Sequence, residues 1–429
     1  MIEKLQTQEC QTPIHKSGAG ITSRVFYIVL IAVTFSYTSL PGIIVLIRNG
    51  RTVDIRNSTG TIEIVGAAAT LRTLLGYLVL AFCLTVVLIR LPAIFRRNID
   101  LRILVLIIPL ALILLDIAAT GRPNLSAITV ISVGLAIWSL NISQDFLRYI
   151  GAAAALIVFI CLMMAVSTDR AWQTEEEKGI LFDDVLAGPF SQMNVLGIAL
   201  SVTLPYVSLL KSLTLRLFFV PGGIIVLLLS SSRTSIIAFA AAAVIMLVCA
   251  SGLPAALKKL TFWLLIVIGV TVVVALPLTT TDREAFTRRG NIWINALEYA
   301  EGSKLLGRGL RVFGINGELY AHTHSAAAHG HNMLVHYFLT SGLLGVLVIG
   351  VMLYLVARNA GTLISTVPAM SASVVVLVFL GMTEVPLRLE TFDGPAWATW
   401  VVLFSIAFIR RDDAPSVEFT DAEGRGARE

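Results

Sequence analysis

Charge is scarce in this chain: 14% of its 429 residues are Asp, Glu, Lys or Arg, against about a quarter in soluble domains. A soluble fold needs charge on its surface, so the deficit excludes an ordinary soluble globule. Cysteine is scarce too, with 4 in all. Cys83, Cys161 and Cys249 lie inside apolar runs and Cys10 in the polar N-terminal arm, with no CxxC pair, which excludes a disulfide framework. The net charge of +5 is small and spread along the chain, so no nucleic-acid partner is expected. A cleavable signal peptide is not expected either. The opening residues are polar, and the first apolar run, Val25 to about Ile47, is long enough to remain as a span.

What is abundant is hydrocarbon: 56% of residues are hydrophobic and the mean hydropathy is +0.85. A spanning helix needs roughly 20 apolar residues to cross about 30 Å of lipid. Apolar runs fall near 25–47, 67–89, 103–119, 124–141, 147–167, 192–210, 214–230, 234–251, 260–278, 332–357, 366–383 and 395–409. The expected fold class is an all-α integral membrane protein with about twelve transmembrane helices and one large loop between spans nine and ten.

Basic residues set the orientation. With the N-terminus inside, the cytoplasmic segments carry Arg90, Arg96, Arg97, Arg102, Arg148, Lys211, Arg216, Lys258, Lys259, Arg358, Arg410 and Arg411. The opposite side holds Asp169, Glu175, Glu176, Glu177, Asp183 and Asp184, although Arg48, Arg51 and Arg56 make this a bias and not a partition. The expected division is a cytoplasmic arm (1–24), spans one to nine (25–278), the large non-cytoplasmic loop (279–331), spans ten to twelve (332–411) and a cytoplasmic tail (412–429). Within the loop, "NIWINALEYAEGS" places Ile292, Trp293, Ala296, Leu297 and Ala300 on one face, an amphipathic helix expected to lie along the membrane surface.

Five of the 6 histidines, His322, His324, His329, His331 and His336, crowd this region. A solvated polar linker would tolerate them. Metal binding is a second reading, but no cysteine, and no carboxylate inside the cluster, completes a ligand set. A third reading is catalytic and favours His331, at the mouth of span ten and followed by Asn332. Imidazole titrates near about pH 6.5, so its neutral form can take a proton from a hydroxyl. Gly342 and Gly345 in the same span allow a neighbouring backbone to approach closely. Arg233, between two apolar runs, is costly unless it faces a polar cavity or partner, and its guanidinium suits diphosphate oxygens. The bland alternative is an arginine reaching the headgroups from a short turn.

His331, Asn332, nine residues, Gly342, two residues and Gly345 resemble the signature of the O-antigen ligase family, which includes the Wzy-type polysaccharide polymerases. "GPFSQMNVLG" from Gly188, "SSSRTS" from Ser230, "RRGNIW" and "LLGRGL" follow that family's order, so the resemblance covers residues 188–350. It implies a membrane glycosyltransferase of the bacterial inner membrane, multi-pass with both termini cytoplasmic and the large loop periplasmic. The implied donor is a glycan on undecaprenyl diphosphate. The implied acceptor is another lipid-linked repeat unit, for a polymerase of exopolysaccharide or O-antigen, or a lipid A core, for a ligase.

On this reading His331 is the catalytic base, and Arg233 with Arg289 or Arg288 binds the diphosphate, Arg289 being favoured by the family's pattern. Asn332, Asn194, Arg308, Gly342 and Gly345 bind or position substrate. Arg308 is read chiefly as loop support, while Asn194 and Gln192 either bind sugar or stabilise the start of span six. Arg72 and Glu384 are ionisable groups in or near spans without an assigned role, Glu384 being close enough in sequence to pair with Arg388. No metal or cofactor is expected. Partners are the bilayer and chain-length-regulating or export proteins. The rival of another class is a polytopic transporter or glycan flippase, against which the long loop after span nine and the scarcity of charge within the spans both argue.

Overall fold

A computed structural model describes residues 21–50, 52–53, 60–61, 66–96, 100–121, 124–140, 142–174, 179–314, 317–323, 327–392 and 394–409. The expected arm up to residue 20 and the tail lie outside the described residues, as do Arg51, Arg56, Arg97, Glu175, Glu176, Glu177, His324, Arg410, Arg411 and the side chain of His322.

The apolar runs fold as helices because lipid offers no partner for backbone N–H and C=O groups, which a helix satisfies internally. In chain order these are α1 (Ile21–Asn49), α2 (Ala67–Phe95), α3 (Leu104–Thr120), α4 (Leu125–Leu140), α5 (Gln144–Ser167), α6 (Met193–Thr203), α7 (Leu213–Leu229), α8 (Arg233–Ala250), α9 (Ala255–Thr279), α10 (Ala285–Ala300), α11 (Glu318–Thr323), α12 (Met333–Thr362), α13 (Pro368–Leu380) and α14 (Ala396–Phe408). Among the described residues, 7 helical stretches are long and apolar enough to cross a membrane, those of α1, α2, α3, α5, α8, α9 and α12. Shorter apolar helices are α4, α6 with its 3-10 continuation to Leu209, α7, α13 and α14. Among the described residues, strand is confined to two small antiparallel ladders, one of which pairs Trp172–Thr174 with Asp184–Leu186, Gln173 facing Val185.

Burial sorts the helices. Leu84 and Leu88 of α2, Leu217 and Phe218 of α7, and Leu264 and Val267 of α9 are exposed apolar side chains, the faces that lipid would cover. Every residue of α14, and all of α13 but Pro368, is buried in protein. These two central helices have 13 residues each. Such a helix rises about 20 Å, short of the roughly 30 Å hydrocarbon layer. Irregular backbone is tolerated at membrane depth only where protein surrounds it. The connection 381–395 meets that condition, since its described residues are all buried or half-buried. It brings Glu384, Arg388 and Glu390 to a sunken floor.

α12 is broken at Gly342, whose φ of 64° and ψ of −164° no other residue adopts readily. The carbonyls of Leu339 and Thr340 accept from Arg308 N and Gly309 N, both at 2.8 Å. Leu343 N and Leu344 N donate to Lys304 and Leu305 carbonyls at 2.8 and 3.2 Å. The "LLGRGL" segment, with Lys304 before it, thus splints the break with four hydrogen bonds. A Cβ on Gly342 would overlap the Leu305 backbone, and one on Gly307 the backbone of Ser341 and Thr340. What approaches Gly342 is therefore a loop and not a helix. The nearest atoms a Cβ on Gly345 would meet belong to Ser341 and Tyr337 of its own helix. Asp116 of α3, itself buried, steadies the splint by accepting from Leu310 N at 2.8 Å.

The amphipathic helix expected along the membrane surface is α10, and its apolar face is occupied by protein instead. Trp293, Ala296 and Ala300 are buried in one cluster with Val312, Phe313, Val335 and Leu339. This docks α10 on the first turns of α12, directly over His331.

Candidate active site

Asn332 fixes the frame. It is fully buried and is the N-cap of α12, its side-chain oxygen accepting from Val335 N at 3.1 Å. Its amide nitrogen donates to Val273 O of α9 at 3.0 Å and to Met382 O beyond α13 at 2.9 Å. One carboxamide therefore ties the start of α12 to α9 and to the end of α13, and Asn332 positions its neighbours with both amide hydrogens engaged.

His331, immediately before it, has a positive φ of 44°, an unfavourable conformation for a side chain of this size. Trp293 Nε1 holds that backbone by donating to His331 O at 3.3 Å. The ring reaches Glu384, with Nδ1 3.8 Å from Oε2. Glu384 is 5% exposed in its side chain, and its Oε1 accepts from Arg289 at 2.6 Å. Hydrogen bonds elsewhere brace the floor: Trp400 Nε1 donates to Arg388 O at 3.1 Å, and Asn124 to Glu390 O at 3.1 Å.

His329 completes the cluster, its ring centroid 4.0 Å from that of His331 and its Nε2 3.9 Å from Glu384 Oε2. Burial, then the adjacent His331 and the positive Arg388 and Arg289, push its pKa well below the usual imidazole value, so the ring is neutral. Its Nδ1 accepts from His331 N at 3.1 Å, which puts the single ring proton on Nε2. The donor atoms of His329, His331 and Glu384 lie within 4.8 Å of one another, the spacing of a metal site. Yet Nε2 of His329, carrying a proton, has no lone pair for a cation, and Arg289 already neutralises Glu384. Folding nonetheless brings to the histidines the carboxylate that the sequence did not show among them.

These groups wall a small cavity of about 60 Å³ whose other side is Gln192, Asn194, Arg388 and Thr391. Asn194 is held there because the hairpin's buried Gln173 accepts from Met193 N at 2.9 Å, capping α6. Gln192, the N-cap of α6, makes no cap bond through its side chain. Below the floor, His336 Nε2 lies 3.3 Å from Glu390 Oε2 and its ring stacks on Phe313 at 5.2 Å. Burial pushes the Glu390 carboxyl up, but His336 and Arg388 together hold it below its ordinary value, so it stays ionised.

The arginines part company. Arg289 meets Glu384, while Arg288, at φ 67° in the kinked start of α10, is 82% exposed and pairs with Glu284 at 3.2 Å. Arg289→Ala would leave a buried carboxylate uncompensated and is expected to cost about 3–5 kcal/mol, whereas Arg288→Ala should cost less than about 1 kcal/mol. Thermal unfolding of the two purified variants measures this, and equal losses would refute the separation. Arg308 turns away from the cavity, donating to Tyr299 O at 3.1 Å with its guanidinium 4.5 Å from the Tyr299 ring. Arg233 is exposed at the head of α8, outside the cavity wall. Its neighbour Thr234 contacts the hydroxyl of Thr383, next to Glu384, so the two features adjoin.

Residues 217–350 match the family model described as O-Antigen ligase. This stretch is similar to that family. The matched stretch runs from α7 to the middle of α12 and so contains Arg233, Arg289, His329, His331, Gly342 and Gly345. No curated protein matches the chain. Asn194, Glu384 and Arg388 lie outside the matched O-antigen ligase region and reach it only through folding. Glu384 and His329 are the site residues that the sequence left without a role. The available signal for Glu384 was its place, an ionisable residue closing an uncharged run.

Proposed function

We propose that the cavity is the catalytic centre of a membrane glycosyltransferase that moves a glycan from undecaprenyl diphosphate to an acceptor hydroxyl without a metal. His331 takes the proton from that hydroxyl as its oxygen attacks the anomeric carbon, and the bond from that carbon to the diphosphate breaks. Glu384 orients the His331 ring through Nδ1, leaving Nε2 to act as base. Charge grows on the departing diphosphate, and Arg233 at the head of α8 and Arg289 receive it. Arginines and helix N–H groups already in place stabilise such charge without reorganising solvent. Asn194 and Arg388 are the groups on the opposite wall available to sugar hydroxyls.

The observation that carries this reading is the Glu384 carboxylate 3.8 Å from His331 Nδ1 in a pocket roofed by α10. The match of residues 217–350 to the O-antigen ligase family model supports the substrate class. The acceptor we favour is a second lipid-linked repeat unit, making the protein a polymerase of exopolysaccharide or O-antigen in the bacterial inner membrane. Both termini would be cytoplasmic and the loop 279–331 periplasmic.

Deletion of the gene in its host tests this. A polymerase leaves single lipid-linked repeats accumulating at the outer face; full-length chains on the carrier would instead assign a ligase acting on lipid A core. Unchanged glycan in the deletion strain would sink both.

A further inference from the structure

A second cavity, larger than the one beside His331, lies at the other end of α6. α6 begins beside Asn194 and runs on to Leu209, a rise of about 25 Å. At that far end Gln144, Arg148, Ser208, Lys211 and Arg216 surround a space of about 310 Å³. Gln144 Nε2 approaches Thr366 O at 3.4 Å, which places the same space beside the α12–α13 turn, again opposite the site.

The walls are cationic. Arg148 is fixed by donating through Nε to Leu209 O at 3.2 Å and by pairing with Asp145. Asp145 is also approached by Arg24 at 3.9 Å. That single carboxylate therefore faces Arg24 and Arg148, and neither Lys211 nor Arg216 has an ion pair among the described residues. Arg216 Nε is shielded from solvent with no acceptor among the described residues. A shielded guanidinium donor lacking an acceptor beside two further cations is complementary to a phosphate.

The surroundings decide what carries the phosphate. Leu213 is 60% exposed and Leu217 67% exposed, and they stand one turn apart on α7, with Phe218 beside them. An apolar stripe thus begins where the basic cavity ends. We propose that this cavity is a headgroup site for an anionic phospholipid, with the phosphate held by Arg216, Lys211 and Arg148 and the acyl chains lying along Leu213, Leu217 and Phe218. Basic pockets between spanning helices recognise lipid headgroups through this combination. The inference is independent of the transfer reaction.

The test uses the full chain purified in detergent, native mass spectrometry to count bound lipid, and thermal unfolding to read stabilisation. The ligands are phosphatidylglycerol, phosphatidylcholine and inorganic phosphate. Wild type is expected to retain phosphatidylglycerol and be stabilised by it, with phosphatidylcholine and phosphate giving little. Arg216→Ala combined with Lys211→Ala should weaken phosphatidylglycerol binding about tenfold or more. Lys259→Ala with Arg358→Ala removes the same charge from exposed positions elsewhere and should leave binding unchanged. Equal loss in both pairs, or no loss in the first, overturns the site. Binding of inorganic phosphate as tight as that of the lipid overturns the lipid assignment. If the first pair does not fold, Arg216→Lys replaces it. That variant keeps the charge and loses the fork, and undiminished binding by it counts against the proposal.

Discussion

His331→Ala should lower glycan transfer by roughly 10²–10⁴-fold, the range that a positioned general base contributes. The measurement is single-turnover transfer from a lipid-linked donor by equal amounts of purified wild-type and variant protein. Donor affinity should change little, because the groups assigned to the diphosphate, Arg233 and Arg289, remain. The loss therefore belongs in the chemical step and not in KM. Folding should survive, since the contacts that fix this stretch are made by backbone: Trp293 donates to the His331 carbonyl and His331 N to His329. A variant that transfers at wild-type rate removes His331 from the chemistry. A variant with normal chemistry but weakened donor binding would make it a binding residue.

Gly342→Ala is expected to be strongly destabilising. The backbone conformation costs an alanine about 1–3 kcal/mol by itself. The new methyl would in addition overlap the Leu305 backbone, so the splint must move and its four hydrogen bonds lengthen. Each backbone group left unpaired in a water-free setting adds about 1–3 kcal/mol. A total beyond about 4 kcal/mol should appear as a fall in thermal stability and in membrane abundance. Gly350→Ala supplies the control on the same helix, because a Cβ there meets nothing within 4 Å. It should be neutral or mildly stabilising. Equal behaviour of the two variants would mean that the break at Gly342 is not a structural requirement.

The helices were legible from sequence because their cause is local: a long apolar run in lipid can satisfy its backbone only by coiling on itself. His331 was legible for the same reason, standing at the mouth of a span beside its cap residue. Glu384 was not, because its meaning depends on α13 being too short to carry it to the surface and on Asn332 reaching Met382. Neither is a property of neighbouring residues. The hydrophobic face of α10 was visible, but sequence cannot say whether lipid or protein covers it, since both accept the same side chains. The two arginines after Thr287 looked equivalent and separated only when positive φ angles at Phe286, Thr287 and Arg288 turned the chain. Asn332 looked like a companion of the base in chemistry, and the geometry gives it the work of a clasp.

The brevity of α13 and α14 also bears on how the protein is made. A segment of 13 apolar residues falls below the length that partitions into a bilayer unaided. The last hairpin must therefore be received by helices already in place, and its arrival brings Glu384 to His331. The reactive centre cannot exist on the unfinished chain: until that hairpin is received, the base and the arginines are present but the Glu384 carboxylate is not in place to align them.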